Sequence, residues 1–225
     1  MRRYLFWEYD HPLLSRPIRT RELPPERTLD IQELLSHETN KIDNTGNIRV
    51  WPAEEVLLLF LLTEFSAPNL LASFISPSPP VVLEIGGGMT GLAGIGISTQ
   101  CERVVVTDGH PGCVKNMRAC VAMGERETVI GRELRWDDFS NEQWLFEGEG
   151  FNLLIASDCL FFEDFHSSLI GLLEVLLSPT CVGVFVQPSR GNSFSNFVDL
   201  LDGHPSLSYE IHEQFNQQVI GCSFV

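Results

Sequence analysis

The segment Val81-Val82-Leu83-Glu84-Ile85-Gly86-Gly87-Gly88-Met89-Thr90-Gly91 constrains the fold of this chain more than any other. It reads as a short apolar strand carrying one acid, then a glycine-rich turn, then the start of a helix. Glycine tolerates φ > 0 and lets backbone approach a ligand closely. The helix that follows begins with unpaired N–H groups. In an open α/β sheet, a loop of this kind lies at the carboxyl end of a strand, where nucleotide-type cofactors are held. Downstream, apolar runs alternate with helical segments. The pattern predicts strands at 81–85, 103–107, 129–135, 152–156 and 181–187. It predicts helices at 90–99, 111–123, 140–146, 164–177 and 193–201. Such alternation implies parallel βαβ units. Leu153-Leu154-Ile155-Ala156 is apolar at every position, as a strand covered on both faces should be.

Upstream of this core, residues 1–45 read as an irregular polar extension with Pro12, Pro17, Pro24 and Pro25, holding one short helix at 29–36. Asn44-Thr45-Gly46-Asn47 is a turn signal, followed by a short strand at 48–50. Pro52 stands at a first helical position, and Glu54 and Glu55 lie in the first turn, where the dipole favours acids. These residues predict a helix at 52–65. Ser76-Pro77-Ser78-Pro79-Pro80 reads as a linker into the main sheet, and residues 209–225 as a final strand or hairpin.

With 225 residues and 44% apolar content, the chain can build one sizeable α/β domain plus an extension. Its net charge of −15 argues against nucleic acid or anionic lipid as a partner, since both need a positive surface. The six cysteines show no CxxC and no zinc spacing, so reduced buried thiols and no metal are expected. The basic start Met1-Arg2-Arg3 lacks the apolar core of a signal peptide. Residues 56–62 are too short to span a bilayer. A soluble monomer of the cytoplasm, or also of the nucleus, is expected.

The chemistry-bearing residues begin with Gly86-x-Gly88-x-x-Gly91, followed by Asp108 at the tip of the next strand. An acid there can accept hydrogen bonds from the vicinal hydroxyls of a ribose and would repel a 2′-phosphate. This context suits NAD and S-adenosylmethionine equally. Glu84 weighs against the first, because a pyrophosphate at the helix N-terminus would meet an adjacent carboxylate. It suits a ligand with positive charge or an amino group. Trp136, after the third strand, offers a face for adenine stacking. Asp158, leaving the fourth strand, should reach the cleft above the sheet.

In order along the chain stand Val50-Trp51-Pro52-Ala53-Glu54-Glu55, Glu84-Ile85-Gly86-Gly87-Gly88-Met89-Thr90-Gly91, Thr107-Asp108-Gly109, Leu134-Arg135-Trp136-Asp137, Ser157-Asp158-Cys159-Leu160-Phe161 and Arg190-Gly191-Asn192. Over about residues 43–200 this set resembles the seven-β-strand protein-lysine methyltransferases, and among them the calmodulin-lysine N-methyltransferases. The resemblance implies a Rossmann-like seven-stranded α/β sheet over 46–225 and an enzyme that moves methyl groups from S-adenosylmethionine to a lysine of calmodulin. It assigns Trp51, Glu84, Gly86, Gly87, Gly88, Asp108, Trp136 and Ser157 to the cofactor. It places Asp158 and Phe161 beside the reacting amine, with Asp158 orienting it. Two departures stand out. Ser157 replaces a small apolar residue, and the C-terminus is short, so strand seven is expected to be short or missing. Calmodulin is itself acidic, so recognition would need a local basic patch, for which Arg16, Arg19, Arg21 and Arg190 are candidates. A catalytically weak binding protein of the same shape is the competing reading.

Overall fold

The structure, a computed structural model, describes residues 5–9, 18–22, 50–66, 71, 79–146, 150–188, 191–212 and 222–224. The expected helix at 29–36, the turn at 44–47, most of the linker at 76–80, and Arg16 and Arg190 lie outside the described residues. Strands β1 (Leu5–Tyr9) and β2 (Ile18–Glu22) pair antiparallel, with Leu5 opposite Glu22 and Tyr9 opposite Ile18. The N-terminal extension is therefore not irregular throughout.

The main body follows as α1 (Pro52–Ser66), β3 (Val81–Ile85), α2 (Leu92–Ile97), β4 (Arg103–Asp108), α3 (Pro111–Gly124), β5 (Val129–Glu133), β6 (Leu153–Ser157), α4 (His166–Leu176), β7 (Val182–Pro188), α5 (Ser193–Leu201) and β8 (Cys222–Phe224). The spatial order is β5-β4-β3-β6-β7-β8. Five strands run parallel, and β8 pairs antiparallel with β7, Val186 opposite Phe224. Among the described residues the sheet has six strands, not seven. Residues 207–211 form no strand, so the position expected from Tyr209 onward is not filled there. Tyr209 instead donates its hydroxyl to Asp202 at 2.7 Å.

Strand alternation divides the interior in two. Val82, Val104, Val106, Leu153, Ile155, Val184 and Val186 pack against α1, α2 and α3. Leu83, Ile85, Val105, Leu154, Ala156 and Phe185 pack against α4 and α5. This is the three-layer solution open to strands apolar on both faces. The chain enters at the central β3, builds outward through β4 and β5, then returns to β6 on the other side. The sheet order reverses between β3 and β6, which opens a crevice above their carboxyl ends.

One predicted helix is absent: 140–146 holds only a three-residue 3₁₀ turn, Gln143–Leu145. Seven residues cannot repay helix nucleation without a buried face, and only Leu145 of that turn is buried. Arg132 lies over the Trp144 ring, 5.0 Å from its centroid, which fixes the segment from outside.

Candidate active site

Five strand ends supply the site. β3 delivers the glycine loop, in which Gly86, Gly88 and Gly91 have φ of 62°, 60° and 61°. A Cβ at Gly86 would sit 2.6 Å from Cys159 Sγ and 3.2 Å from the Trp136 ring. A Cβ at Gly91 would sit 3.0 Å from Val106. Gly88 differs, because nothing lies within 4 Å of its missing Cβ. The loop thus presses its first and last glycines into the protein and leaves the middle one open.

β4 delivers Asp108, which is buried. Its Oδ2 accepts from Gly88 N at 3.0 Å and its Oδ1 from His110 N at 2.8 Å. Burial pushes its carboxyl up to about 6, against the pull of those two amides. His110 caps α3 with Nδ1, which accepts from Gly112 N at 3.1 Å and Cys113 N at 3.3 Å. An accepting Nδ1 means a neutral ring, and burial lowers the His110 pKa in agreement.

Glu84 does not line the cleft. It is 1% exposed, faces the α1–α2 side of β3, and accepts from Gly94 N through Oε2 at 2.9 Å. Its Oε1 is a buried side-chain oxygen with no hydrogen-bond partner. Burial raises its carboxyl to about 7. Beside it stands Glu54, unremarked in the sequence except as a first-turn acid of α1. Its Oε1 accepts from Leu92 N and from Thr90 Oγ1. Its pKa is raised by burial and then by the nearby Glu84. Glu54 therefore caps α2, whose own N-cap, Gly91, offers no side chain. Trp51 lies just before α1, half-buried, its carbonyl accepting from Glu54 N at 2.9 Å.

β5 leads to Trp136, half-buried, against the face of Gly86 and edge-on to Phe165 at 6.4 Å. Phe165 had no sequence signal, because its aromatic partner lies on another strand end. β6 leads through Ser157 to Asp158, which holds φ 53°. Asp enters that region more readily than most residues with a Cβ, and a neighbouring bond holds it there. Gln187 at the end of β7 does so in part, donating from Nε2 to Asp158 Oδ1 at 3.2 Å. Cys159 is packed under Gly86, and burial pushes its thiol far up, so it is inert filling. Phe161 lies at the rim, 49% exposed and T-shaped against Phe162 at 5.0 Å. The structure thus gathers the glycine loop, Asp108, Trp136, Ser157 and Asp158 at one sheet edge. It sets Glu84 beneath the loop and Phe161 outside it.

These residues fit a cationic adenosine-type cofactor. Gly88 leaves room for close approach. The two Asp108 oxygens accept from two backbone amides and from the Cys113 thiol, which leaves lone-pair capacity that ribose hydroxyls can use. Trp136 supplies a flat wall.

Known proteins bear on the same site. A lysine methyltransferase family model matches residues 28–204. The chain is 30% identical over 199 residues to the calmodulin-lysine N-methyltransferase of Arabidopsis thaliana, covering 84% of this chain and 60% of that protein. It is 29% identical to the protein N-lysine methyltransferase METTL21A of Danio rerio, covering 57% of this chain and 55% of that one. The chain thus spans a little over half the length of these curated relatives. In fold it is similar to the human methyltransferase 10 domain containing protein, with a TM-score of 0.56 at 11% identity over 89% of this chain and 93% of that one. It is similar also to a TehB-like SAM-dependent methyltransferase from Corynebacterium glutamicum, with a TM-score of 0.52 at 15% identity over 89% and 95%. The chain therefore belongs to the lysine methyltransferase family, and its cofactor is S-adenosylmethionine.

Proposed function

We propose that this protein transfers methyl groups to a lysine side chain of a protein substrate, and that the substrate is calmodulin. The observation that carries the first part is Asp158. An acid is held at positive φ at the end of β6, bonded to Gln187, one residue from the cysteine that packs under the glycine loop. Strain of this kind persists where an exact placement is needed. Support for calmodulin comes from the name and 30% identity of the plant relative.

S-adenosylmethionine, when bound, supplies an activated methyl group. Gly88, Asp108, Trp136 and Trp51 would hold it, with Glu84 and Glu54 fixing the loop from below. The chain's remaining task is to present a neutral amine in line and exclude water, so positioning dominates. An ammonium has no lone pair, and an apolar surround favours its loss of a proton. Asp158 accepts a hydrogen bond from the amine and so orients its lone pair, while Phe161 flanks the lysine stem. This chain carries a net charge of −15 and calmodulin is itself acidic, so recognition is local rather than by bulk attraction.

The test is transfer of labelled methyl from S-adenosylmethionine to purified calmodulin, with Asp108→Ala as control. Label on one lysine, lost in the variant, supports the proposal. Cofactor binding without transfer to calmodulin, but with label on another protein, removes calmodulin and keeps the reaction. Binding with no transfer at all favours a methyltransferase-shaped binding protein.

A further inference from the structure

The turn leaving β6 is fastened to two neighbouring strands. Asp158 N donates to Val186 O at 2.9 Å. Cys159 Sγ lies 3.5 Å from Ile85 O. Leu160 N donates to Gln187 Oε1 at 3.0 Å, and Gln187 Nε2 donates to Asp158 Oδ1 at 3.2 Å and weakly to Pro188 O at 3.4 Å. Gln187 is 1% exposed, and its amide is used at both ends. Only one orientation serves both partners, because an N–H cannot accept and a carboxylate cannot donate. No other uncharged residue of this length offers an acceptor and a donor so disposed. Pairing of β8 with the same stretch, Gln187 opposite Ser223 and Pro188 opposite Cys222, holds the backbone from the far side.

We infer that Gln187 is a positioning residue: it holds the Asp158 carboxylate in a single place at the carboxyl edge of the sheet. A buried amide bonded to a carboxylate favours the charged form of that acid. It fixes the direction of the Asp158 side chain, while the bond from Asp158 N to Val186 O holds the backbone of the turn. The kinetic part of this inference rests on the lysine-transfer reading; the titration part does not.

The experiment uses the full chain with Gln187→Met and Gln187→Glu. The Asp158 carboxyl is titrated by carbon NMR, assigned by its loss in Asp158→Asn. S-adenosylmethionine affinity is measured by calorimetry, and turnover is followed against pH. Gln187→Met should raise the Asp158 pKa by about one unit, and Gln187→Glu by more, since it adds a like charge. Cofactor affinity should stay within about twofold, while turnover falls about tenfold or more and the acid limb of its pH profile moves up with the NMR shift. An unchanged Asp158 titration in both variants overturns the inference. So does a loss of cofactor affinity parallel to the loss of turnover, which would make Gln187 a support of the fold at large. If Gln187→Met does not fold, the isosteric Gln187→Glu carries the same comparison. A shifted titration in a protein that methylates no lysine would keep the positioning role and remove the lysine-transfer reading.

Discussion

Gly86 and Gly88 share a backbone conformation and differ in what stands before them. Both have φ near 60°, a region costing about 1–2 kcal/mol for a residue with a Cβ. Gly86→Ala adds a collision with Cys159 Sγ at 2.6 Å, and overpacking typically costs a further 1–3 kcal/mol or so. Gly88→Ala meets nothing and should stay folded, but its methyl would enter the space a cofactor needs. Thermal unfolding should therefore separate them, with Gly86→Ala the less stable. Calorimetry with S-adenosylmethionine should show Gly88→Ala binding at least about tenfold more weakly, a loss of about 1.4 kcal/mol. Asp108→Ala removes two accepted amide bonds and should weaken the cofactor comparably. Asp108→Asn, which keeps one acceptor oxygen, should lose less; equal losses would place the importance in charge rather than geometry. The glycines, Asp108 and Trp136 were legible because each is adjacent in sequence to a strand end. Gln187 and Phe165 were not, since their partners lie 29 residues away in the turn after β6 and at Trp136. Glu84 was legible as an acid before the loop but not as a buried one, because its burial comes from α1 and α2 packing over its face of β3.

At the scale of elements, α1 and α2 are joined by one side chain. Glu54 is buried on α1 yet satisfies Leu92 N and Thr90 Oγ1, so a residue read as complementing its own helix dipole serves another helix. Removing it by Glu54→Ala leaves a buried N–H unpaired, at a cost of about 1–3 kcal/mol. Glu54→Gln keeps an oxygen acceptor and ends the like-charge contact with Glu84. It should unfold at or above the wild-type temperature, whereas Glu54→Ala unfolds below it. A Gln variant as unstable as the Ala variant would show that the carboxylate charge is what holds α2. The helices that sequence periodicity predicted at 52–65, 111–123 and 193–201 formed nearly as expected. Each buries a face against the sheet. The one at 140–146 is shorter and more polar and has little to bury, and periodicity cannot see whether a partner surface exists.

For the whole molecule, charge and burial combine into one pH dependence. Asp108 and Glu84 stand at about 6 and about 7 in the folded chain, above the ordinary values of 3.8 and 4.5, and Glu54 is also raised. The folded state then holds more protons than the unfolded one, so stability is full below the unfolded values and is lost as pH rises through the folded ones. His110, lowered by burial, works in the opposite sense but only below about 6.5. The melting temperature of the ligand-free protein should therefore fall between about pH 6 and 8. Self-repulsion at a net charge of −15 acts in the same direction. Calorimetric scans across that window check it, and a flat or rising melting temperature would mean that these carboxyls ionise without cost. No described helix is long and apolar enough to cross a membrane, and the five cysteines with described side chains are buried and in no disulfide. The sequence by itself determined the parallel α/β layers, the glycine loop and its strand-tip acid, because strand and helix periods and turn chemistry are local properties. Only the tertiary structure decided that the described sheet stops at six strands, that Glu84 lies beneath the loop, and that Glu54 and Gln187 hold α2 and Asp158. Those contacts join residues tens of positions apart, and their energies come from burial and hydrogen bonding that exist only once the layers have met.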